Sequence, residues 1–104
     1  MTKQEFVEFI DTELKEQYKI IKKEIENSED ISYKIYFKKQ NVFMPVIHIK
    51  INPAKIYINY CFTATKNSDQ CCLKQSETMV YANEIGYIIA YDTLMTYIDL
   101  IINS

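Results

Sequence analysis

The chain predicts a two-layer α+β domain in which an N-terminal helix, a three-stranded antiparallel meander and a long C-terminal helix share one core. Three observations carry that expectation. Apolar residues recur at three- and four-residue steps up to Ile25, switch to strict alternation at Ile31, and from Ser76 run on as a long apolar segment without turn signals.

The first helix is expected over 2–27. Thr2 and Glu5 have capping-box spacing, so each side chain can satisfy the other residue's free backbone N–H. Phe6, Ile10, Leu14, Tyr18, Ile21 and Ile25 then form one apolar stripe. A first strand follows, with Ile31, Tyr33, Ile35 and Phe37 against Ser32, Lys34, Tyr36 and Lys38. Lys39, Gln40 and Asn41 form the turn to a second strand. There Phe43, Ile47, Ile49 and Ile51 alternate with Met44, Val46, His48 and Lys50, and Pro45 marks an edge or a bulge. Asn52-Pro53-Ala54-Lys55 places Pro where a type I turn wants it. A third strand sets Ile56, Ile58, Tyr60 and Phe62 against Lys55, Tyr57, Asn59 and Cys61.

The stretch 63–75 is the least legible. Lys66-Asn67-Ser68-Asp69 has turn composition, so Cys71, Cys72 and Leu73 form either a short fourth strand or loop. Ser76 and Glu77 then open the second helix, expected to run to Ile102. This order resembles the topology of double-stranded RNA-binding domains. The resemblance stops at topology, because Lys38-Lys39-Gln40-Asn41 lacks that family's Gly-Pro turn with its His. Ser76-Glu77-Thr78-Met79 likewise lacks the Lys cluster that opens its last helix.

At 104 residues and 12.4 kDa the chain fits a single domain spanning 1–104. Its 48% hydrophobic and 25% charged residues are the balance of an ordinary globular protein rather than a disordered one. All twelve basic residues are Lys, and Ile, Asn and Tyr are plentiful, as an AT-rich genome would produce. Without a guanidinium there is no bidentate fork for guanine or phosphate and no arginine finger. The only glycine, Gly86, falls inside the second helix, so no glycine-rich phosphate loop exists. Cys61, Cys71 and Cys72 are an odd count, and the first residues lead directly into an amphipathic pattern; both point to a reducing, cytoplasmic setting. The apolar stretch from Met79 to Ile102 contains Glu84, Asp92 and Asp99. Acids near the centre of a span cost roughly 2.5–3.5 kcal/mol each, so no membrane partner is expected.

Net charge is −2 but strongly segregated. Residues 1–30 hold five Lys against nine acids, 31–66 hold six Lys and no acid, and 67–104 hold one Lys against five acids. If the helices cover the Ile-rich sheet face, the other face is basic and displays Lys34, Tyr36, Lys38, Met44, Val46, His48, Lys50, Lys55, Tyr57, Asn59 and Cys61. Lys34, Tyr36, Lys38, Met44, His48, Lys50 and Tyr57 are the candidate partner-binding set. Interleaved Lys and Tyr also suit a single-stranded nucleic-acid platform.

Strand pairing is expected to put Ser32 and Asn59 on either side of His48, with Cys61 diagonal to it. Cys, His and Asn are the raw material of a thiol nucleophile, but a flat face supplies neither an oxyanion hole nor water exclusion. Zinc is not expected: His48, Cys61, Cys71 and Cys72 do not form two close pairs. Carboxylates on both helices occupy wet surface positions where nothing raises their pKa for acid catalysis. No catalytic residue and no cofactor is expected.

The second helix is apolar around most of its circumference, which requires cover on more than one side. Ala82, Gly86 and Ala90, spaced by four, line a groove for close backbone approach. With Tyr87, Tyr91 and Leu94 they form the candidate homodimer or partner interface. Small, single-domain, charge-segregated and site-free is also the general character of stoichiometric protein inhibitors such as immunity proteins, antitoxins and phage anti-defence proteins of the anti-CRISPR kind. The expected function is therefore non-enzymatic protein binding by surface occlusion. The alternatives are a sequence-tolerant nucleic-acid binder and a small homodimeric assembly subunit.

Overall fold

A computed structural model describes residues 1–39, 42–66 and 70–103, with the side chains of 39, 42, 43, 45, 63–66 and 70–72 outside that description. The architecture is α+β, with an N-terminal helix, a five-stranded antiparallel meander and a C-terminal helix packed on the sheet.

Thr2 caps α1 (Lys3–Phe9) in a complete capping box: Glu5 N–H donates to Thr2 Oγ1 at 3.1 Å, and Thr2 N–H donates to Glu5 Oε1 at 3.1 Å. A π-helical turn, Ile10–Leu14, and a last turn α2 (Lys15–Gln17) continue the helix. Phe6, Ile10 and Leu14 are all buried. A strict four-residue repeat drifts about 40° per step on a 3.6-residue helix, and the wider π turn compensates by holding Ile10 and Leu14 against the same sheet.

The chain then departs from the sequence expectation of a helix to residue 27. Tyr18 is extended, and Lys19–Glu24 form an edge strand, β1. Asn27 turns the chain back with φ of 62°, a left-handed conformation that Asn tolerates well. β2 (Ile31–Lys39), β3 (Val42–Ile51) and β4 (Lys55–Lys66) follow as a meander. The turn before β4 is held by Asn52, whose side chain accepts from the N–H groups of Ala54 (2.9 Å) and Lys55 (2.7 Å).

The second difference comes after β4. Gln70–Tyr81 form a twelve-residue strand, β5, so of the two expectations for Cys71–Leu73 the strand holds, and it runs on through Ser76, where a helix start was expected. The C-terminal helix α3 (Glu84–Ile102) opens seven residues after Ser76, at the N-cap Asn83. With five strands and a late last helix, the topological likeness to double-stranded RNA-binding domains does not hold.

Three cross-sheet rows form the inner face: Glu24, Ile31, Ile51, Ile56, Val80; Lys22, Tyr33, Ile49, Ile58, Thr78; and Ile20, Ile35, Ile47, Tyr60, Ser76. The helices cover these rows, with Phe6 against Tyr87 (ring centroids 5.5 Å apart) and Phe9 against Tyr91 (5.0 Å) joining the two ends of the chain. At the β1 edge Lys22 reaches under the helix to Asp11 at 2.8 Å, and Asp11 also accepts from the Tyr33 hydroxyl at 3.2 Å. At the β5 edge the Tyr97 hydroxyl lies 2.6 Å from Thr78 Oγ1 and donates to Ser76 Oγ at 3.3 Å.

Gly86 has an internal reason. Its N–H donates to Asn83 Oδ1 at 2.7 Å, and a Cβ built on it would overlap the backbone carbonyl of Tyr81. The helix start is thus pressed onto the end of β5, and only glycine leaves room. Gly86→Ala is expected to cost about 2 kcal/mol or more, through the forced backbone shift. Asn83→Ala is expected to cost about 1 kcal/mol, through the lost cap. Urea unfolding of both variants checks the order of the two effects.

Candidate functional site

Among the described residues no element covers the face of the sheet turned away from the helices. Strand pairing fixes its rows. Lys23, Ser32, Lys50, Tyr57 and Met79 lie side by side across all five strands, as do Ile21, Lys34, His48, Asn59 and Glu77. Lys19 sits opposite Tyr36, with its Nζ 5.2 Å from the ring centroid, and Lys55 sits opposite Tyr81. Cys61 pairs with Gln75. Among the described residues Glu77 is the only acid on these rows, while Lys19, Lys23, Lys34, Lys50 and Lys55 share them and Lys38 extends the same side of β2.

The predicted binding set is brought together in large part. Lys34, Tyr36, Lys38, His48, Lys50 and Tyr57 share the open face, as do Lys55, Asn59 and Cys61. Met44 and Val46 need correction. The register shifts by one between Ile35–Ile47 and Tyr36–Pro45, leaving Val46 as the extra residue of a bulge. Val46 is buried, and Met44 pairs with Phe37, a core residue, so it belongs to the other phase. Lys34 rather than Ser32 stands opposite His48, a displacement of two residues of which the bulge supplies one and the closure of the hairpin at Lys39–Val42 the other, while Asn59 takes the expected place on the other side. The expected core position Phe43 has its side chain outside the described residues.

β1 and β5 add Lys19, Ile21, Lys23, Met79, Tyr81 and Glu77, which the helical reading of both segments had concealed. For β5 the sequence did hold a signal. Asn83-Glu84 immediately before the apolar run is as good an N-terminus as Ser76-Glu77, and Thr78, Val80 and Tyr81 favour a strand.

The candidate interface on the C-terminal helix is corrected more strongly. Gly86, Tyr87, Ala90 and Leu94 are buried in the chain's own core, Ala82 packs against it, and Tyr91 is half-buried against Phe9. The small-residue stripe admits the end of β5 and not a partner's backbone. The side of α3 that stays exposed carries Ile85, Ile88, Ile89, Leu100 and Ile102 instead. α3 has the length and apolar composition of a membrane span, but its other side is packed onto the sheet.

Cys61 is an exposed free thiol on a row neighbouring His48 and Asn59, and an open depression along β4 and β5 is lined by Asn59, Tyr60, Cys61, Gln75, Ser76 and Glu77. The surface is open to water, so a charge developing there meets no preorganised dry environment. Among the described residues no group of three His, Cys, Asp or Glu side chains is placed to hold a metal ion. The side chains of Cys71 and Cys72 lie outside the described residues.

Fold and site together define a two-layer α+β domain with a lysine-rich sheet face on which, among the described residues, no helix packs. Comparison of the chain with family models, with curated proteins and with solved structures found no match.

Partial burial, followed by the nearby charges of Lys34 and Lys50, lowers the His48 pKa below its ordinary 6.5. The unfolded chain therefore takes up this proton first as pH falls. Stability is expected to be level above about pH 6.5 and to decline below it until His48 protonates in the folded state. His48→Gln is expected to flatten that decline, as urea midpoints measured between about pH 7.5 and 5 would show.

Proposed function

We propose that this chain is a non-enzymatic binding protein that acts by covering a surface on another protein, in the manner of stoichiometric inhibitors of the immunity or phage anti-defence kind. The open sheet face is its docking surface. The observation that carries this reading is the charge of that face: lysines on four neighbouring strands and, among the described residues of its rows, a single acid. Between the lysines lie Ile21, Tyr36, Tyr57, Met79 and Tyr81, giving the apolar and aromatic anchors that desolvated protein contacts use. An acidic patch is the complementary partner surface. The acids of the helical side, Glu8, Glu13, Glu16 and Asp92 among them, orient the molecule so that this face arrives first. The exposed thiol of Cys61 supports a reducing, cytoplasmic setting for the complex.

A second reading has one specific observation in its favour, because Tyr36 and Tyr57 stand among lysines as stacking platforms for single-stranded nucleic acid do. The all-Lys composition and the net charge of −2 weigh against it.

The two readings part in one experiment, in which tagged protein is used to capture partners from a cognate lysate with and without nuclease. A discrete protein that survives nuclease is expected, and its affinity should fall at least about tenfold with Lys34→Glu plus Lys50→Glu while Glu13→Lys plus Glu16→Lys leaves it intact. Recovery of nucleic acid alone, lost with Tyr36→Ala plus Tyr57→Ala and falling steeply with salt, would put the second reading first.

A further inference from the structure

We infer that two copies of this chain join edge to edge through β5, so that two five-stranded sheets become one continuous sheet and the two α3 helices pack side by side above the seam. This inference does not rest on the docking reading, since Lys34 and Lys50 take no part in it.

The two sheet edges differ. β1 is six residues long and carries Lys19, Lys22, Lys23 and Glu24, a short charged edge of the kind that resists pairing. β5 is twelve residues long, is hydrogen-bonded to β4 in unbroken register and, among the described residues, has no strand on its other side. Its sequence contains no Pro and only Lys74 and Glu77 as charges. Such an edge is a template for another strand.

The helix above it is prepared in the same direction. Tyr97 points α3 toward the β5 edge, because its hydroxyl meets Thr78 and Ser76. At about 100° per residue, Ile85, Ile89 and Leu100 fall within an arc of about 60° beyond Tyr97, on the flank that overhangs this edge. They are 70%, 44% and 48% exposed. Strands lie about 4.8 Å apart, so a helix seated over the β4–β5 pair and its copy across a dyad have axes about 10 Å apart, within reach of close helix packing.

The edge is also complementary to itself. A dyad perpendicular to the sheet keeps both helices on one side and pairs residues of equal phase. Centred on Ser76, it sets Leu73 opposite Met79 of the second copy, Lys74 opposite Thr78 and Gln75 opposite Glu77. Leu73 and Met79, 62% and 53% exposed in the single chain, become a cross-strand apolar pair, and no like charges meet.

Light scattering of the full chain after gel filtration tests this. The expected mass is twice the 12.4 kDa of the chain. Ile85→Glu plus Ile89→Glu, and separately Leu73→Lys plus Met79→Lys, should each return a single-chain mass with unchanged far-UV circular dichroism. Ile88→Glu, on the opposite flank of α3 from Ile89 and Leu100, should leave the dimer intact. A single-chain mass for the unmodified protein, or a dimer that survives both double substitutions, overturns the proposal. If a variant fails to fold, hydrogen exchange of the unmodified protein decides. Dilution until light scattering gives the single-chain mass should speed exchange in Leu73–Tyr81 and not in β1, and equal protection of β5 in the double-mass and single-chain species overturns it.

Discussion

The structure depends on one constraint: a sheet whose inner face is Ile and Tyr across its three central strands is kept dry, among the described residues, by the N- and C-terminal helices. Ile35, Ile47, Ile49, Ile51, Ile56 and Ile58 are each at most 1% exposed, so the cover is complete over the central strands. The helices meet each other as well as the sheet, through Phe6–Tyr87 and Phe9–Tyr91. The first and last elements of the chain therefore close the core together, which makes its stability a property of the whole chain. Toward both edges the cover thins, and polar groups take over where apolar ones would be wetted. Lys22, Asp11 and Tyr33 do this at β1; Tyr97, Thr78 and Ser76 do it at β5.

That thinning explains which parts were legible in the sequence. The central strands lie half-buried, with one face dry and one wet, and so carry a period of two that names both their structure and their orientation. The edge strands carry a weaker pattern, because neither face is fully buried. In β1, Ile20 packs against the core while Ile21 is 47% exposed, and their adjacency beside Tyr18 and Ile25 imitates a helical stripe. In β5 the inner positions Ser76 and Thr78 are polar and the outer positions Leu73 and Met79 apolar, which inverts the expected alternation. The Val46 bulge was signalled by Pro45 only as a place, and its one-residue shift, added to the closure of the hairpin at Lys39–Val42, set Lys34 rather than Ser32 opposite His48. Most of the candidate face survived that shift because it affects only the β2–β3 pairing beyond Ile35. The helix interface did not survive, because small residues spaced by four look the same whether they admit the chain's own backbone or another's.

The same bulge shapes the molecule. Among the described residues β3 pairs with β4 from Ile51–Ile56 to Ile47–Tyr60, and beyond that β2–β3 and β4–β5 continue as separate two-stranded ribbons. The long axis reaches 46 Å against 22 Å for the others. Two-stranded ribbons are marginal alone, and here aromatic rings seal their roots. Tyr18 lies on Phe37 with centroids 4.9 Å apart, and Tyr60 lies between Phe62 at 5.7 Å and Tyr97 at 4.5 Å. The core ends at these rings.

What remains outside the core is the source of both surfaces. A third layer over the sheet would bury Lys34, Lys50 and Lys55 among apolar side chains, and isolated charges cannot be buried without partners. The lysines therefore keep that face open to water or to a surface bearing opposite charge. The β5 edge is different in kind, because its unpaired backbone is satisfied as well by water as by a strand, and only the apolar flank of α3 and the Leu73–Met79 pairing tip the balance. A salt-dependent face and a salt-insensitive edge can coexist on one chain, since screening weakens Lys–carboxylate attraction across solvent and leaves apolar burial intact. Raising ionic strength would then dissociate a protein docked on the lysines while leaving two copies joined along β5.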